Sequence, residues 1–343
     1  MQSRRHFFNG IFGLSLSTLF PIPSFSNTPH QKRILPKALK KGDTIGLIAP
    51  GYMFPSRVLN ETLETLKKME YKPYYTPRIY KGHGYFSNTD EERAKDLNHM
   101  FANPLVDGIL CLRGGYGCTR IMNSVNYEMI KENPKALIGF SDITALLNGI
   151  YKETGLVGFH GPVGSTLNND YSITSFQRML QGAVGYEIIK NAESNLPQEE
   201  YERYTITKGK GSGELCGGNL TLINALIGTA HEIDFTNKLV CIEDVEEDPY
   251  RIDRMLTQLI EGKSFKNAAG IIIGVCAGCN ESTNPNSFSL KEVILDRIKP
   301  LDIPSAYGMS FGHIKNNFTF PVGINAEFDA EEMSIRLLEK PVI

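Results

Sequence analysis

The stretch LIGFSDITALLNGIY (residues 137–151) passes from an apolar, strand-like run to a helical pattern within four residues. The polar pair Ser141-Asp142 stands on the turn between them. A polar residue in this place either caps the helix or is a nucleophile held up for chemistry. Serine is among the best N-cap residues and Asp142 complements the helix dipole, so this stretch alone favours the cap. The incomplete G-x-S-x-G context keeps the nucleophile as an open alternative.

The same alternation of short apolar runs and helices extends over residues 43–166. The apolar runs are TIGLIAP (44–50), GILCL (108–112) and ALIGF (136–140). Helices are predicted between them, one over Ser56–Met69 and one that starts at Thr89, which stands three residues before Glu92 in capping-box spacing. Strands that alternate with helices predict an α/β fold whose open parallel sheet is covered on both faces.

The length of 343 residues exceeds what one hydrophobic core usually holds, so two domains are expected. Residues 33–166 form the predicted N-terminal α/β domain. A polar texture over residues 167–210 predicts a linker, and residues 211–343 combine helices with alternating strands in a predicted mixed α/β domain.

Residues 1–30 have the layout of an export signal. Arg4 and Arg5 precede an apolar stretch and a Pro/Ser-rich exit, which resembles the twin-arginine signal of bacteria. The apolar part is too short for a membrane span. We therefore expect a periplasmic protein with no stable span after processing, or a cytoplasmic one if the leader is not functional.

Composition excludes some partners. There are 36 Lys and Arg against 38 Asp and Glu, and no sustained basic run, so no nucleic-acid partner is expected.

The pair Cys276 and Cys279 has half-zinc-site or redox spacing, but no second pair accompanies it, so no metal is predicted. Cys118 follows a glycine turn, where a thiol would be sensitive to oxidation if it lay near a reactive site.

The loops that leave strands hold the residues that could carry chemistry, because open parallel sheets bind ligands at the carboxyl ends of their strands. The candidates are RGGYG (113–117), Ser141, His160 in GFHGP, the pair Glu243 and Asp244 in KLVCIEDVEED, and His313 in SFGHIKNNF. A nucleophilic serine needs a base and a group that orients the base. Spacing alone leaves two histidines and two carboxylates open.

Six stretches in order resemble the LD-carboxypeptidase family, the serine peptidases typified by muramoyltetrapeptide carboxypeptidase. They are RGGYG, PKALIGFSDITALL, GFHGP, GGNLTLINALIGT, CIEDVEEDPYRIDRMLTQL and GMSFGHIKNNFTFPVGINAEFD. The resemblance runs from Leu39 to the C-terminus. It implies Ser141 as nucleophile, Glu243 as orienting carboxylate and His313 as base, which removes His160 from that role. It also implies a C-terminal domain of β-barrel-like character and a site between the two domains.

The substrate that this resemblance implies is a murein tetrapeptide, which loses its terminal D-Ala without any cofactor. The motif set places the amides of Gly115 and Asp142 as the expected oxyanion hole. A free carboxylate calls for a cationic clamp, for which Arg113, Arg251 and Arg254 are candidates beside ordinary surface roles. Family members also favour a homodimer.

Two other functions stay open. One is an immunity-type peptidase of the same family that cleaves aminoacyl-nucleotides such as microcin C. The absence of tryptophan removes the strongest stacking residue for a nucleobase, and export argues against that role. The other is an exported muropeptide-binding protein without turnover, against which the intact Ser141, Glu243 and His313 speak.

Overall fold

The computed structural model describes residues 32–182, 188–193, 198–282 and 284–343. The predicted export leader, residues 1–30, lies outside these ranges. Within them, no helix combines the length and apolar character that crossing a bilayer requires.

The described strands fall into two sheets. In chain order they are β1 Thr44–Ile48, β2 Lys72–Tyr75, β3 Gly108–Cys111, β4 Ala136–Gly139, β5 Gly158–His160, β6 Ile188–Ile189, β7 Tyr204–Thr207, β8 Lys210–Asn219, β9 Lys238–Glu243, β10 Gly270–Val275, β11 Ser305–Gly312, β12 Phe320–Val322, β13 Asn325–Asp329 and β14 Ser334–Leu337.

Helices connect these strands. They are α1 Ser56–Lys68, α2 Asp90–Ala102, α3 Cys118–Ile121, α4 Tyr127–Glu132, α5 Ile143–Thr154, α6 Asp170–Leu180, α7 Leu220–Leu226, α8 Pro249–Glu261 and α9 Leu290–Ile298. Short 3-10 turns lie at Pro77–Tyr80, Met122–Ser124, Glu199–Tyr201, Phe265–Asn267 and Lys299–Leu301. The predicted cap of α2 is present, since the hydroxyl of Thr89 accepts a hydrogen bond from the Glu92 amide at 3.3 Å.

The first sheet has the order β12-β5-β4-β3-β1-β2, and the five strands from β5 to β2 are parallel. Strands β3, β4 and β5 are buried along their whole length, as expected for a parallel sheet with helices on both faces. The carboxyl ends of β4, β3 and β1 are neighbours at one edge. The loops that leave these strands therefore meet there.

The second sheet is mixed, with the order β6-β14-β13-β8-β9-β10-β11-β7. Its centre, from β8 to β11, is parallel, and antiparallel strands extend it on both sides. Strands β9 and β11 end at Glu243 and Gly312, so both candidate partners of Ser141 come from one edge of this sheet. The two-domain α/β class predicted from the sequence is confirmed.

Residues 167–210 require a correction, because they hold more structure than a linker. Helix α6 and strands β6 and β7 lie in this segment, and β7 pairs antiparallel with β11. A second difference is that β12, far along in the second half, returns to the first sheet, where Phe320 pairs with His160. The polar residues that resemble a linker in the sequence include the cap and first turn of α6, where the Asn169 side chain accepts a hydrogen bond from the Ser172 amide at 3.0 Å, and the 3-10 turn Glu199–Tyr201.

Candidate active site

Ser141 occupies a strained turn between β4 and α5. Its φ is 63°, a left-handed conformation that only glycine adopts without strain, and such strain collects at functional turns. Asp142 holds the N-cap position of α5 without a capping hydrogen bond from its side chain, and the Ser141 hydroxyl lies 3.0 Å from Nε2 of His313. The cap interpretation of Ser141 is therefore wrong in this structure.

The glycine turn after β3 lies against Ser141. A Cβ atom added at Gly114 would lie 2.8 Å from the Cβ of Ser141 and 3.0 Å from its Oγ, so only glycine fits there. Gly115 has a φ of 111° and packs on the Tyr52 ring. The two amides expected to form an oxyanion hole, those of Gly115 and Asp142, thus belong to two turns in contact, with Gly114 between them.

The side chain of Asp142 ties these turns together. It is fully buried and accepts a hydrogen bond from the Cys118 amide at 2.9 Å. Burial raises the pKa of this carboxyl, and the hydrogen bonds from Cys118 oppose that effect. Arg93 supports the same turn, because its buried guanidinium donates to the carbonyls of Gly117, at 3.0 Å, and Pro50. Sequence reasoning missed both contacts, since it considered Asp142 only as an amide donor and as a charge that complements the helix dipole.

Glu243 and His313 complete a hydrogen-bonded chain with Ser141. Nδ1 of His313 lies 2.7 Å from Oε2 of Glu243, and the Glu243 side chain is fully buried while that of His313 is 20% exposed. Gly312 permits this approach, because a Cβ there would lie 3.0 Å from both Cβ and Oε2 of Glu243. The three side chains are hydrogen-bonded in the order of a nucleophile, a base and a carboxylate that orients the base.

The electrostatics of the pair follow from burial and mutual attraction. Burial opposes the charged form of Glu243, but the His313 charge and hydrogen bond outweigh it and lower the pKa of the carboxyl. Burial likewise opposes the charged form of His313, yet Glu243 raises the pKa of the imidazole above its ordinary value. The two groups therefore stabilise each other as an ion pair whenever His313 takes up a proton.

Helix α5 is braced against the second sheet close to the site. The side-chain NH₂ of Asn148 donates to the Gly217 carbonyl at 2.8 Å, and the side-chain oxygen of Asn148 accepts from the Gly217 backbone N–H at 3.1 Å. The Thr144 hydroxyl accepts a hydrogen bond from the backbone N–H of Asn219 at 2.9 Å. Because α5 starts beside Ser141 and β8 runs beside β9, these bonds fix the spacing between the nucleophile turn and Glu243.

Asp244, the other carboxylate at the end of β9, has a different role. Its oxygens accept hydrogen bonds from the Asn219 side chain at 3.0 Å and from the amide and hydroxyl of Thr221 at 2.9 Å. Burial, followed by repulsion from Glu243, raises the pKa of Asp244 to about 6. Asp244 thus holds the start of α7 and makes no hydrogen bond to His313.

His160, the alternative base, is fully buried behind the site. Its ring stacks on Phe320 with centroids 4.6 Å apart, and neither ring nitrogen has a hydrogen-bond partner among the described residues. Burial lowers the pKa of this imidazole to about 4. Its surroundings are those of a packing residue.

The arginines named from the sequence divide by position. Arg113 belongs to the glycine turn, donates to the Met53 carbonyl at 3.1 Å and lies over the Tyr52 ring. Arg254 and Arg251 lie on α8 and flank the Tyr250 ring, and Arg251 also pairs with Glu247 at 3.5 Å. Arg113 is thus the candidate nearest in the chain to Gly114 and Ser141.

The cysteines contribute no exposed thiol. Cys118 is fully buried and burial raises its pKa well above the ordinary value, which argues against the oxidation sensitivity expected for it. Cys276 and Cys279 are buried and form no disulfide. Within the described ranges, no group of three or more His, Cys, Asp or Glu side chains is arranged to hold a metal ion.

Family models match both halves of the chain. The chain matches the model of the LD-carboxypeptidase N-terminal domain over residues 45–161 and that of the C-terminal domain over residues 212–328. A probable murein peptide carboxypeptidase of Bacillus subtilis (strain 168) is 36% identical over 297 residues, which cover 87% of this chain and 92% of that protein.

Two crystal structures share the fold. An MccF-like protein from Bacillus anthracis str. Ames superposes with a TM-score of 0.78 at 28% identity, over 89% of this chain and 99% of that one. A muramoyltetrapeptide carboxypeptidase from Oxalobacter formigenes gives 0.74 at 27% identity, over 86% and 97%. The common architecture is a parallel-sheet domain joined to a mixed sheet curled into a half-barrel.

Proposed function

We propose, for a chain that belongs to the LD-carboxypeptidase family, that it is a serine-type LD-carboxypeptidase that releases the terminal D-Ala from murein tetrapeptides. The observation that carries the proposal is the hydrogen-bonded chain from Ser141 through His313 to Glu243. Peptidase activity follows from the family. The serine mechanism and the murein substrate are the parts that this proposal adds.

In the proposed mechanism, Nε2 of His313 takes the proton of Ser141 while Oγ attacks the peptide carbonyl. Glu243 keeps the other ring nitrogen protonated and stabilises the imidazolium that forms. His313 then gives its proton to the leaving amine, and D-Ala departs from the acyl-enzyme. Water deprotonated by His313 hydrolyses the ester and regenerates Ser141.

The oxyanion is proposed to bind at the two turns that meet at Gly114. The amides of Gly115 and Asp142 are the proposed donors, and the N-terminus of α5 adds a favourable dipole. Asp142 would act through its side chain as well, because its bond to Cys118 holds the glycine turn in place. Arg113 is the proposed partner of the D-Ala carboxylate, since it adjoins this turn.

The proposal is tested by mass spectrometry of L-Ala-D-Glu-meso-diaminopimelate-D-Ala incubated with wild-type protein and with Ser141→Ala. Loss of one D-Ala with the wild type alone is the expected result. An untouched tetrapeptide would contradict the substrate, and aminoacyl-nucleotides would then be the next class to test. Equal cleavage by the variant would contradict the nucleophile.

A periplasmic location is a separate proposal, supported by the leader at Arg4 and Arg5. Cell fractionation tests it, with the double variant Arg4→Lys, Arg5→Lys as control. We expect the wild type in the periplasmic fraction and the variant in the cytoplasm. Wild-type protein confined to the cytoplasm would contradict export.

A further inference from the structure

Arg93 is a buried cation beside the glycine turn. It belongs to α2 and is 2% exposed, and arginine is almost never buried to this degree without partners. Its guanidinium donates to the backbone carbonyls of Pro50 and Gly117, the latter at 3.0 Å, and to a carboxylate oxygen of Asp90 at 2.5 Å. Two of its three partners are therefore backbone groups in the loops that follow β1 and β3.

The peptide unit between Gly117 and Cys118 joins Arg93 to Asp142. Its carbonyl oxygen accepts from Arg93, and its N–H donates to Oδ2 of Asp142 at 2.9 Å. Both side chains are buried, so these charge-assisted hydrogen bonds form away from water, where they are strong. A cation on the carbonyl and an anion on the N–H fix the orientation of this unit. Arg93, the Gly117–Cys118 peptide unit and Asp142 are called here the peptide bridge.

The peptide bridge is packed tightly against the neighbouring backbone. At Gly117, whose φ is 132°, an added Cβ would lie 2.8 Å from Nη1 of Arg93. At Gly51, in the loop after β1, an added Cβ would lie 2.8 Å from Oδ2 of Asp142. A displacement of either charged side chain would therefore displace the glycine turn as well.

We propose that Arg93 is a positioning residue for the reaction at Ser141, which holds the Gly115 amide toward the oxyanion through the peptide bridge. This proposal rests on the proposed function, in which the amides of Gly115 and Asp142 bind the oxyanion. Asp142 carries one of these amides, and Gly115 lies two residues before Gly117, so the peptide bridge ties the two donors together. Such donors are effective because they are fixed in place before the reaction.

The first test separates kcat from KM on the tetrapeptide. Arg93→Met keeps an unbranched side chain but removes the donors. We expect kcat to fall by about 30-fold to 100-fold and KM to change by less than about threefold, because the oxyanion forms only in the transition state. Arg93→Lys keeps the charge without the planar fork, so its kcat should fall by about tenfold.

Arg120→Gln is the matched control. Arg120 also bonds to Asp90, at 2.9 Å, and lies over the Phe86 ring, as Arg93 does. Its guanidinium makes no hydrogen bond to the Gly117 carbonyl, so kcat of this variant should equal that of the wild type. A loss as large as that of Arg93→Met would overturn the proposal, because it would show that the pairing with Asp90 matters and the peptide bridge does not.

A double variant tests whether Arg93 and Asp142 act on the same peptide unit. If they do, their effects on kcat should not multiply. Arg93→Lys combined with Asp142→Asn should then lose no more than about threefold beyond the worse single variant. Losses that multiply in full would overturn the peptide bridge, since the two side chains would be acting independently.

Labelling of Ser141 with a fluorophosphonate separates this proposal from the proposed function. Ser141 displaces fluoride from the reagent and the phosphonyl oxygen occupies the oxyanion hole, so no murein peptide is needed. The labelling rate should fall in both Arg93 variants by the same factors as kcat and stay unchanged in Arg120→Gln. This measurement gives an answer even if the tetrapeptide is left untouched, which would defeat only the proposed function.

Circular dichroism and thermal unfolding of the same variants identify a merely structural role. A lower melting temperature with a labelling rate equal to that of the wild type would overturn the proposal, as would a loss that appears in KM rather than in kcat. Arg93→Lys carries the test if Arg93→Met does not fold, because the lysine keeps the buried positive charge beside Asp90.

Discussion

His313 and His160 stand in similar local sequences, after Phe-Gly in SFGH and after Gly-Phe in GFHG, and both lie at strand ends. Both ring nitrogens of His313 have partners, whereas those of His160 have none among the described residues. The pKa of His313 is raised, and that of His160 is lowered to about 4. Two imidazoles in one region of the molecule thus have opposite electrostatics.

The difference comes from what distant strands bring to each ring. His313 receives Glu243 from β9 and Ser141 from the turn after β4. His160 packs against aromatic rings. Phe320 stacks on its imidazole, and Phe311 lies edge-on with its ring centroid 6.0 Å away. A carboxylate favours the charged imidazole and an apolar enclosure disfavours it. Local sequence does not carry this information, because the partners lie far along the chain.

The largest expected effect is the loss of the base. His313→Gln should lower kcat/KM on the tetrapeptide by about a millionfold, because neither serine activation nor leaving-group protonation remains. His160→Gln should change it by less than about tenfold, since that ring makes no hydrogen bond to Ser141, Glu243 or His313. Steady-state kinetics on both variants, with circular dichroism to confirm folding, makes the comparison. Comparable losses in the two variants would mean that His160 shares the chemistry.

The next effect separates the two carboxylates at the end of β9. Glu243→Gln should lower kcat/KM by about 10⁴-fold, because the amide no longer holds the imidazole in the productive tautomer. Asp244→Asn should mainly lower stability, by about 1 kcal/mol, since its bonds support α7. Kinetics and thermal unfolding of both variants test this. A larger kinetic loss for Asp244→Asn would exchange the roles of the two groups.

Much of the first domain could be predicted because its signals are local. The strand that ends at Gly139, the helix that follows and the Thr89 cap all depend on residues within one turn of each other. The resemblance to the family supplied Ser141, Glu243 and His313 in order, and the structure brings these three side chains together. Local patterns alone showed that each of the three residues lies near the end of a strand, but they did not show that the three side chains meet.

The remaining features depend on long-range contacts. The brace between Asn148 and Gly217 joins residues that no periodicity relates. The support of Gly117 by Arg93 appears in the sequence only as a charge on a helix, which usually means solvent exposure. Strand β12 returns to the first sheet because it pairs with β5, and a domain boundary drawn along the chain misses such a return.

A pH profile sharpens the comparison further. The reaction needs neutral His313, so kcat/KM should rise with pH as this group loses its proton. The midpoint should lie above the ordinary value of about 6.5, because Glu243 raises the pKa of His313. In the residual activity of Glu243→Gln, the midpoint should move to lower pH. An unchanged midpoint in that variant would mean that another group controls the acid limb.

The smallest effect concerns His160 and stability. Its pKa is about 4 in the folded chain and about 6.5 when unfolded, so only the unfolded state binds a proton between these values. This group's contribution to stability is therefore present above about pH 6.5 and is lost as the pH falls toward 4. His160→Phe keeps an aromatic ring in the enclosure and removes the titration. Relative to the wild type, the variant should gain about 2 kcal/mol of unfolding free energy between pH 7 and about pH 5. Denaturant titrations at the two pH values measure the gain, and other groups largely cancel in the difference. A gain that is independent of pH would show that the His160 imidazole has a partner in solution and that the contrast with His313 is smaller than the geometry indicates.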